Sequence, residues 1–215
     1  MADKQIDLRA EWQAFCNRLA GAGEVVLDPT HPGEEEIILD AFARAQIHDP
    51  ALRLILAPRH PRRGDEVQRL IAARGLSLRR RAAGEAPTAN AAVYLADTLG
   101  EMALWFDLAC SSFIGGSLVP LGGHTPYEPA QRGTAILHGP HLQNFAAIYT
   151  RLDAEGGARQ ISDAETLARG FLMPSAEARV MAETARRIAA EEAGDGQLDD
   201  LVAHIARVTQ VSRSG

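Results

Sequence analysis

One pattern constrains this chain more than any other: short runs of branched and aromatic residues, each followed by a loop and then by residues at helical spacing. Glu24-Val-Val-Leu-Asp28, Leu52-Arg-Leu-Ile-Leu-Ala57, Leu76 to Arg80, Ala91-Ala-Val-Tyr-Leu95, Ser112-Phe-Ile114, Ala135-Ile-Leu137 and Gly157 to Gln160 read as strands. Helices are expected over Pro32 to Gln46, Gly64 to Arg74, from near Gly100, over Glu128 to Arg132 and over Asn144 to Leu152. Such alternation predicts an α/β fold, a parallel sheet with helices on both faces. Leu8, Trp12, Phe15 and Leu19 share one face of an earlier helix, where Trp12 and Phe15 read as packing residues. From Asp163 onward only helices are expected. Asp163 and Ser175 suit N-caps, and Gly194-Asp-Gly196 suits a break before a last helix, Leu198 to Val208. The whole chain, 1–215, reads as one domain with a helical tail over about 163–210.

Composition removes several kinds of chemistry. Of 22 basic residues, Lys4 is the lone lysine, near the N-terminus. No lysine follows it to form a Schiff base or grip a nucleotide phosphate, so any anion held by a side-chain cation is held by arginine. A net charge of −6 argues against a dedicated nucleic-acid binder. Cys16 and Cys110 form no metal pattern and read as reduced structural residues, as in a cytoplasmic protein. No apolar run approaches the ~18 residues of a membrane span, and the first residues lack a signal-peptide core. No His-x-x-x-His or Asp-x-Asp spacing suggests a metal, and none is expected.

In a parallel sheet ligands sit at the carboxyl ends of the strands, in the loops that lead into helices. Polar and glycine residues concentrate in those loops. Pro58-Arg-His-Pro-Arg-Arg63 is either a solvated basic loop or a place where Arg59 grips a phosphate or carboxylate. Thr98 and Glu101 have capping-box spacing, while Gly100 beside a helix start also lets a ligand approach free backbone N–H groups. Gly115-Gly116 and Gly122-Gly123 close upon His124, Thr125 and Glu128, and a carboxylate at Glu128 suits the two hydroxyls of a ribose. Glu34, Glu35 and Glu36 read as solvated first-turn acids that offset the helix dipole. Arg79-Arg-Arg81 reads as a charged strand end.

Taken together and in order, these segments resemble the C-terminal half of the 3-deoxy-D-manno-octulosonic acid (Kdo) transferase family. The matching stretches are Thr30-His-Pro-Gly-Glu-Glu-Glu-Ile-Ile38, Pro58-Arg-His-Pro61, Asp97-Thr-Leu-Gly-Glu101, Phe113-Ile-Gly-Gly-Ser-Leu-Val-Pro120, Gly122-Gly-His124, Glu128-Pro129, Gly139-Pro140 and Asn144-Phe145. The resemblance implies the Rossmann-like C-terminal domain of a two-domain, GT-B glycosyltransferase that moves Kdo from CMP-Kdo to a lipid A precursor in lipopolysaccharide biosynthesis. It assigns Pro58, Arg59, Gly100, Glu101, Met102, Thr125, Pro126, Tyr127 and Glu128 to the nucleotide, and His31, His124 and Asn144 to the donor sugar. It implies CMP-Kdo as donor, no cofactor, and an N-terminal partner domain that carries the acceptor site and the general base. No catalytic residue is therefore expected in this chain, which reads as half an enzyme working at the cytoplasmic face of the inner membrane of a Gram-negative cell.

Two departures stand out. The family usually has asparagine at the position of Thr125, and Ala-Ser-Thr-His where this chain has Asp28-Pro-Thr-His31. Pro29 removes a backbone donor at the ligand edge. These changes bear on donor affinity and identity more than on fold. Two rivals follow: a non-catalytic nucleotide-sugar-binding or interaction module, and half of a UDP-sugar epimerase of the same architecture.

Overall fold

Among the described residues, seven strands pair in parallel to form a single sheet. In this computed structural model the backbone is described over residues 24–88 and 90–211, and side chains over 30–88 and 90–194. The helix expected from Leu8 to Leu19, with Trp12, Phe15 and Cys16, lies outside the described residues. The elements in chain order are β1 (Glu24–Thr30), α1 (Glu34–His48), β2 (Arg53–Pro58), a 3-10 turn (Pro61–Arg63) leading into α2 (Gly64–Ala73), β3 (Leu78–Arg80) and β4 (Val93–Leu95). Then come α3 (Met102–Leu108), β5 (Ser111–Ile114), α4 (Tyr127–Arg132), β6 (Ala135–His138), a 3-10 turn (Gln143–Phe145) leading into α5 (Ala146–Glu155), β7 (Ala158–Gln160), α6 (Ala164–Phe171) and α7 (Ser175–Val211).

The strand order is β3-β4-β2-β1-β5-β6-β7. The chain therefore fills one side of β1 with β2, β3 at the edge and β4 inserted between them, then returns to build outward through β5, β6 and β7 on the other. The crevice between the carboxyl ends of β1 and β5 is the topological switch point, where such sheets take their ligands. The ladder between β1 and β2 is regular from Glu24↔Arg53 to Leu27↔Leu56 and then shifts to Thr30↔Pro58. That shift places an extra residue of β1 at Asp28-Pro29, and proline, which has no N–H to give the ladder, is tolerated at such a bulge.

Alternation along the strands sends residues to both faces. Leu54, Leu56, Val93, Leu95, Phe113 and Leu137 pack with Ile38, Leu39 and Phe42 of α1, Val67 and Ile71 of α2, and Leu167 and Phe171 of α6. Ile55, Ala57 and Tyr94 face the other way, onto Trp105 and Phe106 of α3. Ile114 and Ile136 meet Ala130 of α4, Tyr149 and Leu152 of α5, and Ala185 and Ile188 of α7. Both faces are covered, which is why the strands read as nearly continuous apolar runs.

Three details differ from expectation and one agrees with it. α7 runs unbroken from Ser175 to Val211, so Gly194 and Gly196 detach no final helix; each glycine costs only about 1 kcal/mol in a helix interior. Ser175 is the first helical residue and not the cap, since the Pro174 carbonyl already accepts from the Ala178 N–H. Asp163 does cap α6, in a reciprocal box with Thr166. Cys110 is exposed, at the amino end of β5, where the strand has not yet entered the core.

Candidate functional site

At the switch crevice the first turn of α1 turns inward. Glu34 and Glu35 are fully buried, which corrects the expectation of solvated acids; Glu36 alone of the three is exposed. The Glu34 carboxylate accepts four backbone N–H groups: Gly116 at 2.8 Å, Ser117 and Leu118 at 3.0 Å each, and His31 at 3.1 Å. Four donors from two segments satisfy a charge that burial would otherwise penalise heavily. Glu34 thus ties the loop after β1 to the glycine loop after β5, across the switch point.

The same tie sets a histidine pair. His31 Nε2 lies 3.0 Å from His124 Nε2, with the two rings within 12° of parallel and their centroids 5.2 Å apart. The centroids are farther apart than the nitrogens by about two ring radii, so the rings meet nitrogen to nitrogen in nearly one plane. This is an N–H···N bond, with room for a proton but not for a metal ion, whose bonds to imidazole are ~2.0–2.1 Å each. Burial is the main reason the His31 ring holds its proton below the usual value of 6.5, outweighing the opposite pull of Glu34 and Glu35.

The glycine loop closes upon itself. The Gly123 N–H donates to the Gly116 carbonyl and the His124 N–H to that of Gly115, while the Tyr149 hydroxyl donates to the His124 carbonyl at 3.0 Å. Asn144 serves this closure: its Nδ2 donates to the carbonyls of Leu121 at 3.2 Å and Gly123 at 3.4 Å. Its amide lies where a side chain on Gly122 would go, within 2.6 Å of an added Cβ, and Gly122 has φ +92°. Gly139 is equally constrained, because an added Cβ would fall 2.2 Å from the Ser117 carbonyl oxygen.

Pro58, buried, ends β2. Arg59 follows it into solvent; its N–H donates to the Thr30 carbonyl at 3.0 Å, and its guanidinium has no partner among the described residues. Arg63, four residues on, behaves in the opposite way. Its side chain is 10% exposed and reaches buried Glu35 at 2.5 Å and Glu66 at 2.6 Å, while the Thr30 hydroxyl donates to Glu35 at 3.0 Å. The loop that presents Arg59 is therefore pinned at its base by an ion pair.

After β4, Gly100 (φ +82°) is exposed, Glu101 occupies the cap position of α3, and half-buried Met102 begins the helix over Tyr94 and Trp105. The Thr98–Glu101 capping box does not form. Thr98 donates to the Glu101 side chain, and Arg81 holds the same carboxylate at 2.8 Å. Burial raises the Glu101 carboxyl, but the bonds from Arg81 and Thr98 outweigh it and hold the group below the ordinary 4.5. One residue earlier in β3, Arg80 reaches buried Asp97 at 2.6 Å. Arg80 and Arg81 thus neutralise the two acids of this loop, a role their reading as a charged strand end missed.

After β5, Thr125 is exposed and its Oγ1 accepts from the Tyr127 N–H at 3.4 Å. Buried Pro126 caps α4, and half-buried Tyr127 packs on the core. Glu128 projects from the first turn into solvent with no partner among the described residues. The nine residues assigned to a nucleotide therefore lie at strand ends, loops and helix starts along one sheet edge, and those facing solvent with charge unpaired among the described residues are Arg59 and Glu128. Among the described residues no group of three or more side chains is placed to hold a metal. A cavity of about 320 Å³ lies elsewhere, at the amino ends of β5 and β6, lined by Cys110, Gly133 and the α7 residues Ser175, Arg179, Glu183 and Arg186. None of the residues at the carboxyl edge lines it. No helix of the described residues is long and apolar enough to cross a membrane.

Comparison with known proteins gives a consistent answer. No family model matches. A solved structure, the C-terminal CMP-Kdo binding domain of WaaA from Acinetobacter baumannii, superposes with a TM-score of 0.76 at 32% identity, over 84% of this chain and 97% of that one. The 3-deoxy-D-manno-octulosonic acid transferase of Haemophilus influenzae is 37% identical over 153 residues, 70% of this chain and 36% of that protein. That of Bordetella pertussis is 35% identical over 181 residues, 81% of this chain and 42% of that protein. The chain thus spans about two fifths of the length of these curated relatives.

Proposed function

The chain belongs to the 3-deoxy-D-manno-octulosonic acid transferase family, and on that footing we propose that it is the donor-binding half of such a glycosyltransferase, with CMP-Kdo as its ligand. The observation that carries this reading is the superposition along nearly the whole of a CMP-Kdo binding domain. The sheet edge has the chemistry the ligand needs. Arg59, exposed and without a partner among the described residues, supplies a planar fork for the single phosphate of the nucleotide. Gly100, Glu101 and Met102 bring backbone close beside it, with the Glu101 charge cancelled by Arg81 so that it does not repel the phosphate. Glu128, likewise without a partner among the described residues, accepts from the ribose hydroxyls, and Thr125, Pro126 and Tyr127 set its position at the start of α4. His31 and His124 face the donor sugar, and Asn144 acts through the loop it clamps.

Transfer itself belongs to the full enzyme. Its N-terminal domain would bring the lipid A precursor and the general base to the donor at the cytoplasmic face of the inner membrane, and the reading requires no cofactor. Calorimetric titration with CMP, UDP and GDP tests the proposal. A preference for CMP, weakened about tenfold each by Arg59→Ala and Glu128→Gln, is expected. A preference for UDP would instead favour the epimerase-like alternative, and no nucleotide binding would favour an interaction module.

A further inference from the structure

In a doubly wound sheet the switch crevice offers a ligand's phosphate a cradle of backbone N–H groups. Here that cradle already contains an anion. The N–H groups of Gly116, Ser117 and Leu118 converge on one carboxylate, that of Glu34, together with the N–H of His31 from the other wall of the crevice. Glu34 is fully buried, and the four donors found for it are all main-chain amides. It does not behave as a surface acid that happens to be covered. It fills a built anion site, and both walls of the crevice are shaped around it.

We infer that Glu34 is the positioning residue of the nucleotide edge: a resident carboxylate that occupies the anion cradle and thereby sets both the glycine loop and the His31–His124 pair. The inference rests on reading this edge as the donor site. Two consequences follow from the geometry. The donor's phosphate is excluded from the cradle and must be held farther along the edge, at Arg59. And the cradle's two walls are held in register by one side chain, because His31 bonds to Glu34 through its backbone and to His124 through its ring. Glutamine cannot replace Glu34, since its amide would aim N–H groups at one of the two donor pairs that now converge on oxygen.

The test is removal followed by refilling. Glu34→Ala leaves an empty cradle of carboxylate size. It is expected to bind CMP about tenfold more weakly and to lose the imidazole nitrogen NMR signature of the His31–His124 bond. Formate in excess, but not chloride, restores both. Glu34→Gln shows the same losses without rescue. The imidazole signals need no nucleotide, so they report on the cradle even if the wild-type protein proves not to bind CMP, in which case the functional reading fails and this one stands or falls separately. Unchanged imidazole signals and CMP affinity in Glu34→Ala, or losses indifferent to formate, overturn the inference. If Glu34→Ala does not fold, hydrogen exchange on the wild type decides. Saturating CMP is expected to slow exchange at Gly116, Ser117 and Leu118 several-fold, and no change there overturns the coupling.

Discussion

His31 and His124, 93 residues apart in the chain, share a single N–H···N bond of 3.0 Å across the switch crevice. Such a pair titrates as a unit. It carries one bridging proton when neutral, keeps it when a first proton is added, and resists a second because two N–H groups would then oppose each other. Burial lowers the proton affinity of His31 below that of a free histidine, whose value is 6.5. The unfolded chain therefore binds this proton more readily than the folded one. The contribution to stability is complete above about pH 6.5 and is lost as the pH falls below it.

The corresponding measurement is the melting temperature followed from about pH 7.5 down to about pH 5. Wild type is expected to lose stability through the lower part of that range more steeply than His31→Gln, which keeps an amide donor toward His124 but cannot titrate. Parallel profiles for the two proteins would remove the pair from the account.

Glu35 and Arg63 give a prediction about stability. Neither side chain is more than 10% exposed, and they meet at 2.5 Å. Breaking a buried pair by deleting one member strands the other charge, at about 3–5 kcal/mol. Arg63→Met is expected to lose that much in urea unfolding, because it leaves buried Glu35 with the Thr30 hydroxyl alone among its described partners, whereas Arg63 in Glu35→Ala would keep Glu66. Glu35→Ala combined with Arg63→Met is expected to recover most of it, because no charge is then left buried. A loss below about 1 kcal/mol in the single variant would place the pair among ordinary surface bridges.

Arg81 and Glu101 give a prediction about charge at the edge. With Arg81 present the Glu101 carboxyl sits below 4.5 despite its partial burial. Arg81→Ala leaves burial opposed only by Thr98, so the Glu101 carboxyl is expected to titrate at higher pH, read from its side-chain carbon shift. Stability that this group contributes above its ordinary value, and loses as the pH falls through its depressed one, shrinks accordingly. A carboxyl that does not move on removing Arg81 contradicts the assignment.

The fold was legible because its signals are local. Strand composition, helical spacing and glycine turns lie within a few residues of one another. The placement of Arg59 and Glu128 at the carboxyl edge was legible for a similar reason, since the segments that carry them follow strands whose carboxyl ends the alternation identifies. Glu34 was not. Its burial depends on amides 82 to 84 residues away, in a loop that only the β1–β5 pairing brings to it. A run of three acids before an apolar helix has the same local pattern whether it is solvated or enclosed. The partners of Arg80 and Arg81 were not legible either: they lie past the end of β4, and the Arg80↔Leu95 register that sets them side by side is a tertiary fact.

The proposed function places CMP at the carboxyl edge of this sheet. Backbone amide chemical-shift mapping by NMR during titration with CMP tests it most directly. The largest shifts are expected at Arg59, at Gly100 to Met102, and at Tyr127 and Glu128, with the glycine loop at Gly116 to Leu118 following in smaller steps. Shifts centred on Gly133, Arg179 and Arg186 at the opposite end of the sheet, or no shifts at saturating CMP, would contradict it.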